Sequence, residues 1–134
     1  NIDFVTIMTT GNSQDFGDLS AAASGGSGLS NSTRGVFKIG FQSSKTNAME
    51  FITIATKSNS TDFGDAVNIP YSLASGASPT RGIFAGGSSP SSPYPKTNVI
   101  QKIEILTQGD AVDFGDLNFA SSHAAGLTNG HGGL

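Results

Sequence analysis

One tetrapeptide organises the chain. Asp-Phe-Gly-Asp occurs at Asp15–Asp18, again at Asp62–Asp65 and again at Asp113–Asp116, at spacings of 47 and 51 residues. Periods of this length mark stacked supersecondary units, each too small to bury its own apolar face. Other markers keep the same phase. Thr-Arg-Gly-(Val/Ile)-Phe occupies 33–37 and 80–84, and Lys-Thr-Asn occupies 45–47 and 96–98. The longer second spacing comes from four extra residues in the Pro/Ser-rich segment 88–95, a surface loop by composition. The 134 residues therefore form one repeat domain of three copies, 1–47, 48–98 and 99–134. The chain opens in mid-repeat and the third copy is short, so completion by a partner, as a fragment or a subunit, is expected. In that copy His131 falls where Arg34 and Arg81 stand.

Composition says what the units are made of. Gly, Ser and Thr supply 49 residues, only 13% of residues are charged, and the net charge is -3. Long amphipathic helices are excluded by the lack of Ala/Leu/Glu/Lys-rich runs. Nucleic-acid binding is disfavoured by seven Lys and Arg against ten acids. No apolar run approaches the roughly 18 residues of a membrane-spanning helix. The absence of Cys removes disulfides and thiolate metal sites. Nine Phe at regular places argue against a disordered linker. The expectation is an all-β chain.

Within each copy, 49–56 reads as a strand, matched by 2–9 and 100–107. Val5, Ile52 and Ile103, and also Ile7, Ile54 and Ile105, are its expected inward positions. A polar turn follows (11–13, 58–60 or 108–110), then a short strand around Phe16, Phe63 or Phe114. A Ser/Ala/Gly-rich stretch then leads to the Arg-Gly-(Val/Ile)-Phe strand.

Several readings of the motif compete. Asp-Phe-Gly holds Mg²⁺ in protein kinases, but here it comes without a phosphate loop or catalytic-loop Asp. Aspartates at i and i+3 could ligate Ca²⁺, although calcium loops gather more oxygen ligands. The preferred reading is structural: Phe in the core, Gly in a turn, Asp on backbone amides. Arg34 and Arg81 recur just before a strand. A half-buried Arg needs a carboxylate, so a clamp between them and Asp15, Asp18, Asp62, Asp65, Asp113 and Asp116 is expected. His123 and His131 have no announced partners. No Gly-x-Ser-x-Gly elbow is present, so no enzymatic site, cofactor or metal is expected. Tyr94, in the Pro-rich loop, is the candidate contact for a partner, ahead of Tyr71, the only other Tyr.

Residues 81–87 (Arg-Gly-Ile-Phe-Ala-Gly-Gly), the Ile100, Ile103, Ile105 pattern and Asp-Phe-Gly-Asp-Leu together resemble a tandem repeat of virion structural proteins of tailed phages, including cyanophages. Ile2–Leu19 matches the usual form of that repeat closely, and His131–Leu134 is similar to a C-terminal ending in such proteins. The repeats also look like kelch blades, with departures: Ile39-Gly40 stands for Gly-Gly in the first copy, and no copy has the kelch Trp. The resemblance implies propeller-type blades of short antiparallel strands, with a β-trefoil as the alternative. It further implies a virion or extracellular appendage protein such as a tail fibre or capsid decoration, built as a homo-oligomer or with other virion proteins. The alternative function is a lectin-like module for a host surface glycan.

Overall fold

The computed structural model describes residues 1–42, 46–89 and 91–128; Lys45 of the Lys-Thr-Asn marker and His131 lie outside them. Ten strands and no helix are found among the described residues. β1 (Ile2–Phe4) and β2 (Gln14–Gly17) form a two-stranded antiparallel sheet. β3 (Ser27–Ser30), β4 (Arg34–Lys38), β5 (Ala48–Thr53) and β6 (Thr61–Asp65) form a four-stranded meander in sequence order. β7 (Ala74–Ala77), β8 (Arg81–Ala85), β9 (Thr97–Glu104) and β10 (Val112–Ser121) form a second one. The hydrogen-bonded sheets are out of phase with the sequence copies. Each four-stranded sheet takes its first two strands from one copy and its last two essentially from the next, whereas β1 and β2 both belong to the first copy.

The long strand expected in each copy is shorter than its pattern. β5 ends at Thr53, where Thr56 N donates to the Thr53 carbonyl at 3.0 Å and closes a turn. The same bond recurs as Thr9 to Thr6 and Thr107 to Glu104, at 3.2 and 3.1 Å. Ile7, Ile54 and Ile105 therefore lie in turns, not on an inward strand face. Ile105 is fully buried, whereas Ile54 is 43% and Ile7 92% exposed. At the other expected position, Ile52 and Ile103 are buried and Val5 is exposed.

The core lies between the two four-stranded sheets. Leu29, Val36, Met49 and Phe63 come from one; Leu73, Phe84, Ile103 and Ile105 come from the other or its flanking segments. Phe51 packs edge-on against Phe63, ring centres 6.0 Å apart, as Phe4 does against Phe16 at 6.3 Å. Such pairs add about 1 kcal/mol beyond area burial. Small residues set the spacing of the first strands. β3 and β7 run side by side, with Ser27 Oγ donating to Leu73 O and Ser75 Oγ donating to Gly28 O, both at 2.6 Å. A Cβ on Gly82 would meet the Leu29 side chain at 2.6 Å. The Gly/Ser richness of these stretches thus lets backbones approach and then satisfies their carbonyls.

Phe63 has 1% of its surface exposed. Truncating it opens a cavity between the sheets, so Phe63→Ala is expected to cost about 3–5 kcal/mol in denaturant unfolding. That is a large part of the stability of a domain this size, and a loss below about 1 kcal/mol would contradict the placement of the core.

Candidate functional site: the joint between repeats

The motif that organises the sequence is a β-bulge. Asp3 faces Asp15 and Ile2 faces Gly17, which leaves Phe16 opposite no residue. Glu50–Asp62 and Met49–Gly64 bracket Phe63 in the same way, and Gln101–Asp113 and Ile100–Gly115 bracket Phe114. A bulge re-aims one side chain and bends its strand. The bulged Phe16 and Phe63 are both buried, Phe63 in the core cluster that also holds Ile105 and Ala111 of the next repeat.

The glycine of the motif then accepts the backbone of the next repeat's turn. A Cβ on Gly17 would lie 2.3 Å from Ser58 O, and one on Gly64 would lie 2.5 Å from Gly109 O. Gly64 also holds φ at +138°, a region side chains disfavour. The residue after each glycine is held by the next repeat. Asp18 N donates to Asn59 Oδ1 at 3.0 Å, and Asp65 N donates to Asp110 Oδ1 at 2.9 Å. The carbonyls answer: Ser60 N reaches Asp18 O at 2.9 Å and Ala111 N reaches Asp65 O at 2.8 Å.

A second lock lies two residues on. Ser20 N donates to Glu50 Oε2 at 3.1 Å, and the equivalent Val67 N donates to Gln101 Oε1 at 2.8 Å. Glu50, 4% exposed, is also bonded by the Ser20 and Ser60 hydroxyls. A third lock uses a left-handed residue: Ser72 N donates to Gly25 O at 2.7 Å and His123 N to Ser72 O at 2.9 Å. Gly25, Ser72 and His123 occupy one repeat position with φ of 67°, 57° and 58°. His123 thus sits at the repeat's turn, its ring 3.2 Å from Ser122 Oγ.

The expected arginine–aspartate clamp is replaced by other contacts. Arg34 stacks 4.6 Å from the Phe51 ring centre and donates to Ile105 O at 3.2 Å. Arg81 is exposed and pairs with Glu104 at 3.2 Å. The reason is strand order: the arginines stand on β4 and β8, the aspartates of the same sheet on β6 and β10, with β5 or β9 between. Two strand spacings amount to about 9.5 Å. Asp15, Asp18, Asp62, Asp65, Asp113 and Asp116 are all exposed. No group of three His, Cys, Asp or Glu side chains able to hold a metal occurs among the described residues. It is the motif's backbone, more than its carboxylates, that makes the joint.

Two features escape the sequence reading. Lys38 is buried, its Nζ donating to Ile39 O at 2.6 Å and Thr46 O at 3.2 Å. Burial pushes its pKa down to about 8, with the Asp65 carboxylate partly opposing the shift. The other is a shallow pocket of about 320 Å³ lined by Ser24, Gly25, Phe41, Tyr71, Ser72 and Tyr94. It brings the two Tyr together with an exposed Phe, and Tyr94 itself holds φ at 59°.

No protein-family model and no curated protein matches the chain.

Two predictions test the joint and its surroundings. Gly64→Ala should destabilise by more than about 2 kcal/mol, because strain and a backbone clash combine. Asp110→Asn should be nearly neutral, since Asn59 does the same work in the other joint, whereas Asp110→Ala should cost about 1–2 kcal/mol. Comparable losses for Asp110→Asn and Asp110→Ala in denaturant titrations would contradict the role of the side-chain oxygen. For Lys38 the folded pKa of about 8 lies below the ordinary 10.5. Between these values the unfolded chain keeps a proton that the folded chain has released, so stability rises with pH across that window. Relative to Lys38→Met, the wild type should gain on the order of 1–3 kcal/mol of unfolding free energy from pH 7.5 to pH 10. Parallel pH profiles would refute it.

Proposed function

We propose that the chain is a structural building block of a phage virion appendage, assembled from propeller-type blades. The observation that carries this reading is the joint formed twice, residue for residue, between successive repeats. A device that docks one unit on the next through main-chain contacts suits extension by repetition. Four-stranded meanders with neighbouring first strands support blades over the trefoil alternative. In that arrangement β3 and β7 are inner strands, and Gly126 continues the series, packed so closely on β7 that an added Cβ would lie 2.0 Å from Ser75 O. The phage assignment draws on the sequence resemblance of Ile2–Leu19 and of the Arg-Gly-Ile-Phe-Ala-Gly-Gly segment.

Antibodies raised against the protein provide the test, applied to particles of a phage that encodes it. Immunogold label on tails or capsids is the expected result. Label confined to lysate, with bare particles, would overturn the virion reading.

A glycan-binding role is the second reading, favoured by the pocket of Phe41, Tyr71 and Tyr94. Aromatic faces with nearby hydroxyls, here Ser24 and Ser72, are what sugar rings stack and bond upon. Glycan-array binding that falls at least tenfold in Tyr94→Ala is its expected signature, and binding unchanged by that substitution would remove this pocket as the site.

A further inference from the structure

Each half of the joint is also present once without its complement. At one end of the repeat series, the bulge Asp113–Asp116 has no turn seated on it among the described residues. Phe114 is 60% exposed, where the equivalent Phe16 and Phe63 are 8% and 1% exposed. An added Cβ on Gly115 would meet nothing within 4 Å, although Gly115 holds φ at +149° as Gly64 holds +138°. β10 continues to Ser121, with a register shift after Asp116, while β2 and β6 stop at Gly17 and Asp65 where the next repeat takes hold of the chain.

At the other end, the turn Gly11–Ser13 has no bulge beneath it among the described residues. Ile7, beside this turn, is 92% exposed, against 43% for Ile54 and full burial for Ile105 at the equivalent position, and Met8 is 90% exposed against 54% for Leu106. Asp3 stands at the position of Glu50 and Gln101, and its carboxylate accepts only a 3.4 Å bond from Ser13 Oγ among the described residues.

From these two unmatched halves we infer that a second copy of this chain docks head to tail, its Gly11–Ser13 turn seated on the Asp113–Asp116 bulge of the first. The occupant follows from the two joints already made within the chain, whose residue types the free halves repeat. Asn12 corresponds to Asn59 and Asp110, and its side-chain oxygen accepts the Asp116 amide. Ser13 corresponds to Ser60 and Ala111, and its amide donates to the Asp116 carbonyl. Asp3 accepts the amide of Asn118, as Glu50 and Gln101 accept those of Ser20 and Val67. Phe114 becomes covered, as the equivalent Phe16 and Phe63 are. The contact joins unlike surfaces, so it propagates into a ring when the rotation closes and into a filament when it does not. This inference rests on the building-block reading and specifies its interface.

The test separates the two halves. Phe114→Asp removes the bulge half and leaves the turn half intact; Asn12→Trp blocks the turn half and leaves the bulge half intact. Both sites are exposed, so each variant should keep the wild-type circular dichroism spectrum, and Asn118→Pro, which removes one amide donor, serves as a second bulge-half variant should Phe114→Asp fold poorly. Light scattering coupled to size exclusion should show the wild type growing in mass with concentration, to a fixed multiple or without limit. Each variant alone should remain a monomer, with association weakened at least tenfold. An equimolar mixture of the two should give 1:1 dimers and stop there, since one live turn meets one live bulge. A wild type that stays monomeric into the millimolar range, or that associates equally well in both variants, would overturn the inference. Neither of those outcomes would alter immunogold labelling of particles, so failure of this interface is distinguishable from failure of the virion reading.

Discussion

Wherever a repeat meets the next one, two backbones come into van der Waals contact at a glycine, and the rest of the structure is arranged around that approach. At Gly17 and Gly64 there is no space for a side chain. The preceding phenylalanine sits at the bulge and is buried, and the following aspartate offers its amide and carbonyl to the incoming turn. Because the contacts are main-chain to main-chain or main-chain to side-chain oxygen, they fix distance and register together. Apolar burial alone would fix neither.

This joint accounts for the composition. Sheets that must lie close at their first strands cannot carry large side chains there, and β3 and β7 are built of Ser, Gly, Leu and Ala. Hydroxyls at Ser27 and Ser75 satisfy carbonyls that the close approach would otherwise leave unbonded. The apolar residues can then be few, because each copy needs one bulged Phe, one or two Ile and a Val-Phe or Ile-Phe pair to fill the space between sheets. Low charge follows as well. Among the described residues the charged side-chain types are exposed or half-buried, apart from Lys38 and Glu50, which are held by carbonyls and by hydroxyl and amide donors respectively.

Much of this was legible in the residues. The all-β character, the strands that hold Phe16, Phe63 and Phe114 and the Arg-Gly-(Val/Ile)-Phe strands are found where the pattern puts them. The sheet boundaries were not legible, because a repeating sequence has the same self-similarity wherever the copy is taken to begin. Ile7, Ile54 and Ile105 show the limit of alternation: the pattern continues past Thr53, but a turn three residues long ends the strand first. Arg34 and Arg81 show another limit. Faithful recurrence of a charge next to recurring carboxylates suggests a pair, yet strand order places a whole strand between them. The acceptors that do cross the joint, Asn59, Asp110, Glu50 and Gln101, vary in type between copies. Only their shared side-chain oxygen marks them, which a search for identical residues passes over.

The account stands on amide protons held across the joint, and hydrogen exchange reads those directly. The amides of Asp18, Asp65 and Val67 belong to residues at sheet edges or beyond them, where exchange is ordinarily fast unless a partner holds the proton. Bonded to Asn59, Asp110 and Gln101, they should exchange orders of magnitude more slowly than exposed amides, and Asp110→Ala should release Asp65 while leaving Asp18 protected. Exchange of all three in the wild type at the rate of an open loop would contradict the joint as the organising contact.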